Sequence, residues 1–171
     1  MIQGAAIYAE TADICRFAAE QAEALKTEPS ARRWLVIALV VALQGACLCA
    51  LLANGDNEDT QEPGKGAKLA APGVLLRRAA SPEYLAEPAR LPFSASELKT
   101  LETLIAERNA AIHFLGGAEA SLRAFNLAAK ALDHLLLSAP AFDLGLLGLR
   151  PARLRGSLMR LRTALKYLPA D

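Results

Sequence analysis

The chain has 171 residues, of which 53% are hydrophobic, so residues 1–171 can form one domain with a buried core. Aromatic residues make up only 5% of the chain and Ala and Leu dominate the apolar set, which favours helices and excludes a β-rich fold. The net charge of +1 excludes both an acidic, solvating chain and nucleic-acid binding through overall charge alone.

Three cysteines, Cys15, Cys47 and Cys49, lie in Ala-rich sequence of helical character. Their odd number and setting predict reduced thiols in a cytoplasmic protein. Cys47 and Cys49 differ by about 200° around a helix, so they do not face a common metal ion, and we expect neither a metal nor a cofactor. The first residues lack the basic-then-apolar order of a secretory signal, which also fits the cytoplasm.

The first predicted helix runs from about Ala5 to Lys26, with apolar residues at helical spacing. A second helix begins at Ala31, and its residues 34–53 are apolar on every side except at Gln44. Such a helix lies at the centre of a bundle or crosses a membrane. We expect the bundle, because the other helices need a partner for their apolar faces. A small membrane-anchored protein spanning residues 34–53 stays as an alternative.

The middle of the chain is predicted to be irregular. Residues 54–66 contain no apolar side chain, which predicts an exposed or disordered loop. Residues 67–93 carry four prolines, which exclude a long helix. We therefore expect an irregular connector with one short helix around Val74–Ala80.

The third long helix has the clearest predicted boundaries, from Ala95 to Leu115. Ser94 and Glu97 form a capping-box pattern at its start, and Gly116-Gly117 predicts its end.

Two more helices are predicted in the last third of the chain. The fourth spans Ala118–Ser138, and the fifth spans Pro151–Leu168 with a leucine stripe and a basic outer face. The predicted fold is all-α, a bundle of four to five helices with a long polar loop between the second and third long helices.

The third helix holds the candidate functional residues. Arg108 falls within its predicted apolar stripe, whose members are Leu101, Ile105, Ile112 and Leu115. Asn109 and His113 lie on another face, and Arg108 and His113 differ by about 140° on an ideal helix. A shared site therefore needs Arg108 to bend around the helix, or two copies of the helix to meet. Gln44 is a candidate buried partner for Arg108.

Residues 107–114, ERNAAIHF, resemble the Arg, polar residue, three residues, His motif of the HEPN family. The resemblance implies a helical bundle of HEPN type. It also implies a homodimeric, metal-independent ribonuclease with a toxin or defence role, whose motifs from two protomers form the site. Arg108, Asn109 and His113 match the motif. A subgroup of nucleotide-modified toxins has Tyr two residues after the His, where this chain has Leu115, so that subgroup is not assigned.

These residue types can cleave RNA without a metal. His113 would take a proton from the ribose 2′-hydroxyl or give one to the leaving oxygen. Arg108 would hold the phosphate, and Asn109 would orient the histidine or the phosphate. The expected partners are RNA, a second copy through the third helix and an antitoxin protein; a membrane is not expected. The alternative is a non-catalytic HEPN module that binds nucleotide, RNA or protein. His134, amid leucines, is expected to be structural.

Overall fold

The structure, a computed structural model, describes residues 2–54, 57–62, 64–65, 68–113, 120–138 and 151–168. Among these residues all regular secondary structure is helical, and one isolated β-bridge pairs Gln61 with Leu69. The helices are α1 (Ile2–Ala24), α2 (Ala31–Asn54), α3 (Pro72–Ala79), α4 (Ala95–Ile112), α5 (Leu122–Asp133) and α6 (Pro151–Lys166), with a 3₁₀ turn at Asn57–Thr60 and a π-helical turn at His134–Ser138. The all-α prediction is confirmed.

Helix α2 forms the centre of the core, because α1, α3, α4 and α5 all pack against it. The helix is long and apolar enough to cross a membrane: an 18-residue stretch of Ala31–Ala53 has a mean hydropathy of 2.7, and 72% of that stretch is buried inside the bundle. The three cysteines are free and buried, as predicted for reduced thiols. Burial raises the pKa of the Cys47 thiol to about 12, because the low-dielectric core disfavours the thiolate.

Helix α6 closes the bundle by packing against α1 and α5. It runs parallel to α1: Arg160 bonds Glu23 near the end of α1, and Lys26, just after α1, lies over the ring of Tyr167, just after α6. Its predicted leucine stripe is buried at Leu154, Leu158, Leu161 and Leu165.

The polar segment after α2 differs from the expected exposed loop over its described residues 57–62. Thr60 is buried, and its carbonyl accepts the N–H of Ala70 at 2.9 Å. Arg78 of α3 donates to the carbonyls of Asp59 and Gln61. The segment is therefore held against α3, the short helix that the sequence predicted.

Several predicted boundaries shift: α1 spans Ile2–Ala24 instead of Ala5–Lys26, α5 ends at Asp133 with a π-helical turn up to Ser138, and α6 ends at Lys166. Helix α4 ends at Ile112, three residues before the predicted Leu115, and Gly116-Gly117 lies outside the described residues. Helix α5 begins at Leu122 instead of Ala118, because the Ser121 side chain caps it by accepting the N–H of Ala124.

Close packing of α1 on α2 gives a test of the core. A Cβ at Gly45 would overlap Oγ1 of buried Thr11, whereas a Cβ at Gly156 in α6 meets nothing within 4 Å. We expect Gly45→Ala to lower the free energy of unfolding by about 1–2 kcal/mol through overpacking. Gly156→Ala should raise it by about 0.5–1 kcal/mol through helix propensity.

Urea unfolding followed by circular dichroism measures both changes. If Gly45→Ala stabilises the protein as much as Gly156→Ala does, α1 and α2 do not pack in this way.

Candidate functional site

The capping box at the start of α4 sets the phase of the helix that carries the candidate site. The Ser94 hydroxyl accepts the N–H of Glu97 at 3.3 Å, and the Glu97 carboxylate accepts the N–H of Ser94 at 2.8 Å. Hydrogen bonds from the Ser94 backbone and hydroxyl hold the pKa of the Glu97 carboxyl below its usual value, because they favour its charged form. The predicted start of the helix is confirmed.

The buried side of α4 includes the position of Arg108. Leu101, Leu104 and Ala111 are buried, and on a helical wheel they share a sector of about 80° with Arg108. The arginine itself is half-buried. Arg108 therefore lies within the buried sector of α4, although Leu101 is the only described member of the predicted stripe that is buried.

The rest of the predicted stripe is less buried than expected. Ile105 is half-buried, Ile112 is 39% exposed, and Leu115 lies outside the described residues. Ile112 points close to the direction of Leu101 three turns earlier, so the last turn of α4 is left partly uncovered by the described part of the chain. An apolar side chain is thus exposed directly beside the motif.

The guanidinium of Arg108 turns towards the face that carries Asn109. Its Nη1 donates to Oδ1 of Asn109 at 3.0 Å, while its Nε is buried and finds no hydrogen-bond partner among the described residues. Gln44, the predicted buried partner, is half-buried and forms no hydrogen bond with Arg108 in the described structure. The stem of Arg108 therefore packs along the helix and its charged end reaches the surface.

His113 is the C-cap residue of α4, with an exposed side chain. Its backbone N–H donates to the carbonyl of Asn109 at 3.2 Å. In the described part of the chain, no hydrogen bond joins its imidazole to Arg108 or to the Asn109 side chain. The chain thus brings Arg108 and Asn109 together and leaves the histidine apart, accessible at the end of the helix.

The face shared by Asn109 and His113 is occupied further up the helix. Glu102, in line with both, accepts a hydrogen bond from Nη1 of Arg77 in α3. Sequence reasoning missed this pair, because its partners lie 25 residues apart and no local pattern connects them. The open part of this face is therefore confined to the last turn of α4.

The second histidine has a structural position. Nε2 of half-buried His134 lies 2.9 Å from the carbonyl oxygen of Arg90, which ties the end of α5 to the connector before α4. Within the described ranges, no group of three or more His, Cys, Asp or Glu side chains is placed to hold a metal ion.

Comparison of the chain with known protein families, curated proteins and solved structures finds no match.

The capping box gives a test of how α4 is held. We expect Ser94→Ala to lower the free energy of unfolding by about 1 kcal/mol, because the N–H of Glu97 loses its acceptor. Thr103→Ala, which removes an exposed hydroxyl from the same helix and leaves both capping bonds, is the matched control. Equal losses for the two variants in thermal or urea unfolding would show that the cap does not hold the helix start.

Proposed function

We propose that this protein is a metal-independent endoribonuclease whose site forms where the last turns of two α4 helices meet. The observation that carries the proposal is the arrangement of the motif. Arg108 is held in the buried stripe of α4 with its charged end turned onto Asn109, and His113 is exposed one turn after Asn109.

The position of Arg108 suits a group that holds a phosphate. Its stem is immobilised against the bundle and its Nη1 is directed by Asn109, so little side-chain freedom remains to be lost when an anion binds. A guanidinium also presents several N–H donors in a plane, which match the oxygens of a phosphate. Asn109 is exposed and can keep its bond to Arg108 while its amide N–H groups contact the same substrate.

In the proposed site a second copy brings the two groups together. Arg108 and His113 lie about 140° apart around α4, and the described structure shows no contact between their side chains. A two-fold axis beside the last turn of α4 would bring His113 of one copy towards Arg108 of the other. The exposed Ile112 supplies an apolar side chain for that contact.

The proposed reaction is an in-line transfer at phosphorus. The ribose 2′-oxygen attacks the adjacent phosphorus and loses its proton to a histidine, while the bond from phosphorus to the 5′-oxygen breaks and that oxygen gains a proton. Each site needs one histidine: His113 acts as the base, and the 5′-oxygen takes its proton from water. Arg108 stabilises the charge that develops on the phosphoryl oxygens. The products are a 2′,3′-cyclic phosphate and a 5′-hydroxyl end.

The wider setting of the proposal comes from the HEPN resemblance of residues 107–114 and from the packing of α2. The resemblance supports a bundle of HEPN type and a toxin or defence role, with an antitoxin protein as a partner. A cytoplasmic location is supported by the cover that the other helices give to the apolar sides of α2.

The proposal predicts RNA cleavage in the presence of EDTA. We expect Arg108→Ala and His113→Ala each to lower the cleavage rate by about 10²-fold or more, because each removes a group that acts in the transition state. Asn109→Ala should have a smaller effect. Lys99→Ala, which removes an exposed cation of the same helix, is the control and should cleave as the wild type does. Gel analysis of end-labelled RNA and mass spectrometry of the ends measure rate and products.

Unchanged cleavage in the Arg108→Ala or His113→Ala protein, with folding verified by circular dichroism, would contradict the proposed site. RNA binding by the wild type without any cleavage would make the protein a non-catalytic binding module.

A further inference from the structure

Helix α6 carries a concentration of positive charge that the motif on α4 does not use. Residues 151–168 include five cations and no carboxylate. All five are exposed: Arg153, Arg155, Arg160, Arg162 and Lys166. The cations extend over about 20 Å of helix at 1.5 Å per residue. This length suits a polymer with several repeated negative charges better than one small anion.

The cations form two rows along α6. Arg153 and Arg160, seven residues apart, form the row that faces α1, whereas Arg155, Arg162 and Lys166 form the row that faces the end of α5. The side chains between the rows are uncharged and exposed, and Met159 is 67% exposed. The outer face of α6 is therefore an uncharged strip with positive charge along both edges.

Each row borders a groove with a positive balance. The groove between α1 and α6 has a volume of about 520 Å³, and three arginines and Asp13 contribute its charges. The groove between α6 and the end of α5 has a volume of about 450 Å³, and the three cations of the second row and Asp133 contribute its charges. The lining of each groove thus has three cations and one carboxylate, and Arg16 of the first groove is paired with Asp13 and Glu20.

Most of this positive charge is not neutralised inside the protein. Arg160 is bound by the carboxylate of Glu23, and Arg162 has a longer contact of 4.0 Å with Asp133. In the described part of the chain, no carboxylate pairs with the remaining three cations, which are Arg153, Arg155 and Lys166. A ligand with several negative charges can therefore bind here without first breaking an ion pair.

We propose that the outer face of α6 binds single-stranded RNA through its phosphates. Four of the five cations are arginines, whose planar guanidinium groups match phosphate oxygens and stack on bases. Insertion of α6 into a lipid surface is disfavoured, because its leucine stripe is buried in the bundle and is not available to a membrane. The surface is argued from α6 alone, but the choice of RNA as the polyanion rests on the proposed function.

The two RNA-contacting regions have different neighbours within one protomer. Helix α6 packs on α1 and α5, whereas α4 packs on α2, α3 and α5. Binding at α6 therefore holds the RNA away from the motif, and loss of this surface weakens binding without removing a group that takes part in the reaction.

The test measures RNA binding separately from cleavage. The full-length His113→Ala protein, which on the proposed function does not consume the RNA, is titrated in EDTA into a short fluorescent single-stranded RNA, and anisotropy is followed at several KCl concentrations. In this background, Arg153→Gln with Arg155→Gln is compared with Lys99→Gln with Arg123→Gln. Both pairs remove two exposed cations, but only the first removes them from α6.

We expect the α6 pair to raise the Kd about tenfold. The slope of log Kd against the logarithm of the KCl concentration should fall by the equivalent of about one to two phosphate contacts. The Lys99/Arg123 pair should leave the Kd near that of the parent protein. An equal loss for both pairs would show that overall charge governs binding, and an unchanged Kd for the α6 pair would show that RNA does not bind there. Either result overturns the proposal.

Two further ligands test the choice of polyanion. Tighter binding to polyglutamate, or to vesicles that contain phosphatidylglycerol, than to RNA would overturn the choice of RNA in favour of an acidic protein or a lipid surface. RNA binding that depends on α6 in a wild-type protein that cleaves nothing would contradict the nuclease proposal and support this one.

Discussion

Helix α2 has apolar side chains on every side of its axis, and each side must be covered for the chain to fold in water. The hydrophobic effect penalises any apolar face of such a helix that stays exposed, so four other helices, α1, α3, α4 and α5, surround it. This constraint places α4 on the outside of the core with one face against α2. It also leaves α6 to close the gap between α1 and α5.

The placement of α4 explains why a charged residue can lie in its buried stripe. Arg108 is near the end of the helix, where its long side chain can cover apolar surface and still bring its charged end to solvent. Because the capping box at Ser94 determines where α4 begins, it also determines which residues face α2. The same phase that partly buries Arg108 turns His113 away from it, and in the proposed site the histidine comes from a second copy.

The sequence predicts the features that depend on neighbouring residues. The capping box joins Ser94 to Glu97 within a single turn, and the leucine stripe of α6 follows from helical periodicity alone. The position of Arg108 within the buried stripe of α4 follows from the same periodicity. In each of these cases the physical cause acts over a few residues, so the pattern is visible before the fold is known.

The features that the sequence does not predict depend on contacts between distant residues. Arg77 reaches Glu102 from another helix, and Arg78 holds the segment after α2 through two backbone carbonyls. Arg32 donates to the carbonyl of Ala120, 88 residues away. The exposure of Ile112 likewise depends on which elements surround the end of α4 and not on its own periodicity. Hydrophobic patterns show which face is buried but not how far along a helix the cover extends.

The central claim is that the site is built from two copies of α4, and mixing two inactive variants tests it most directly. When the Arg108→Ala and His113→Ala proteins are unfolded and refolded together, half of the dimers contain one copy of each variant. In each mixed dimer, one of the two sites receives an intact Arg108 from one copy and an intact His113 from the other. The account predicts about a quarter of wild-type RNA cleavage from the mixture, although each variant alone is inactive. Cleavage by the mixture no greater than by the separate variants would contradict it.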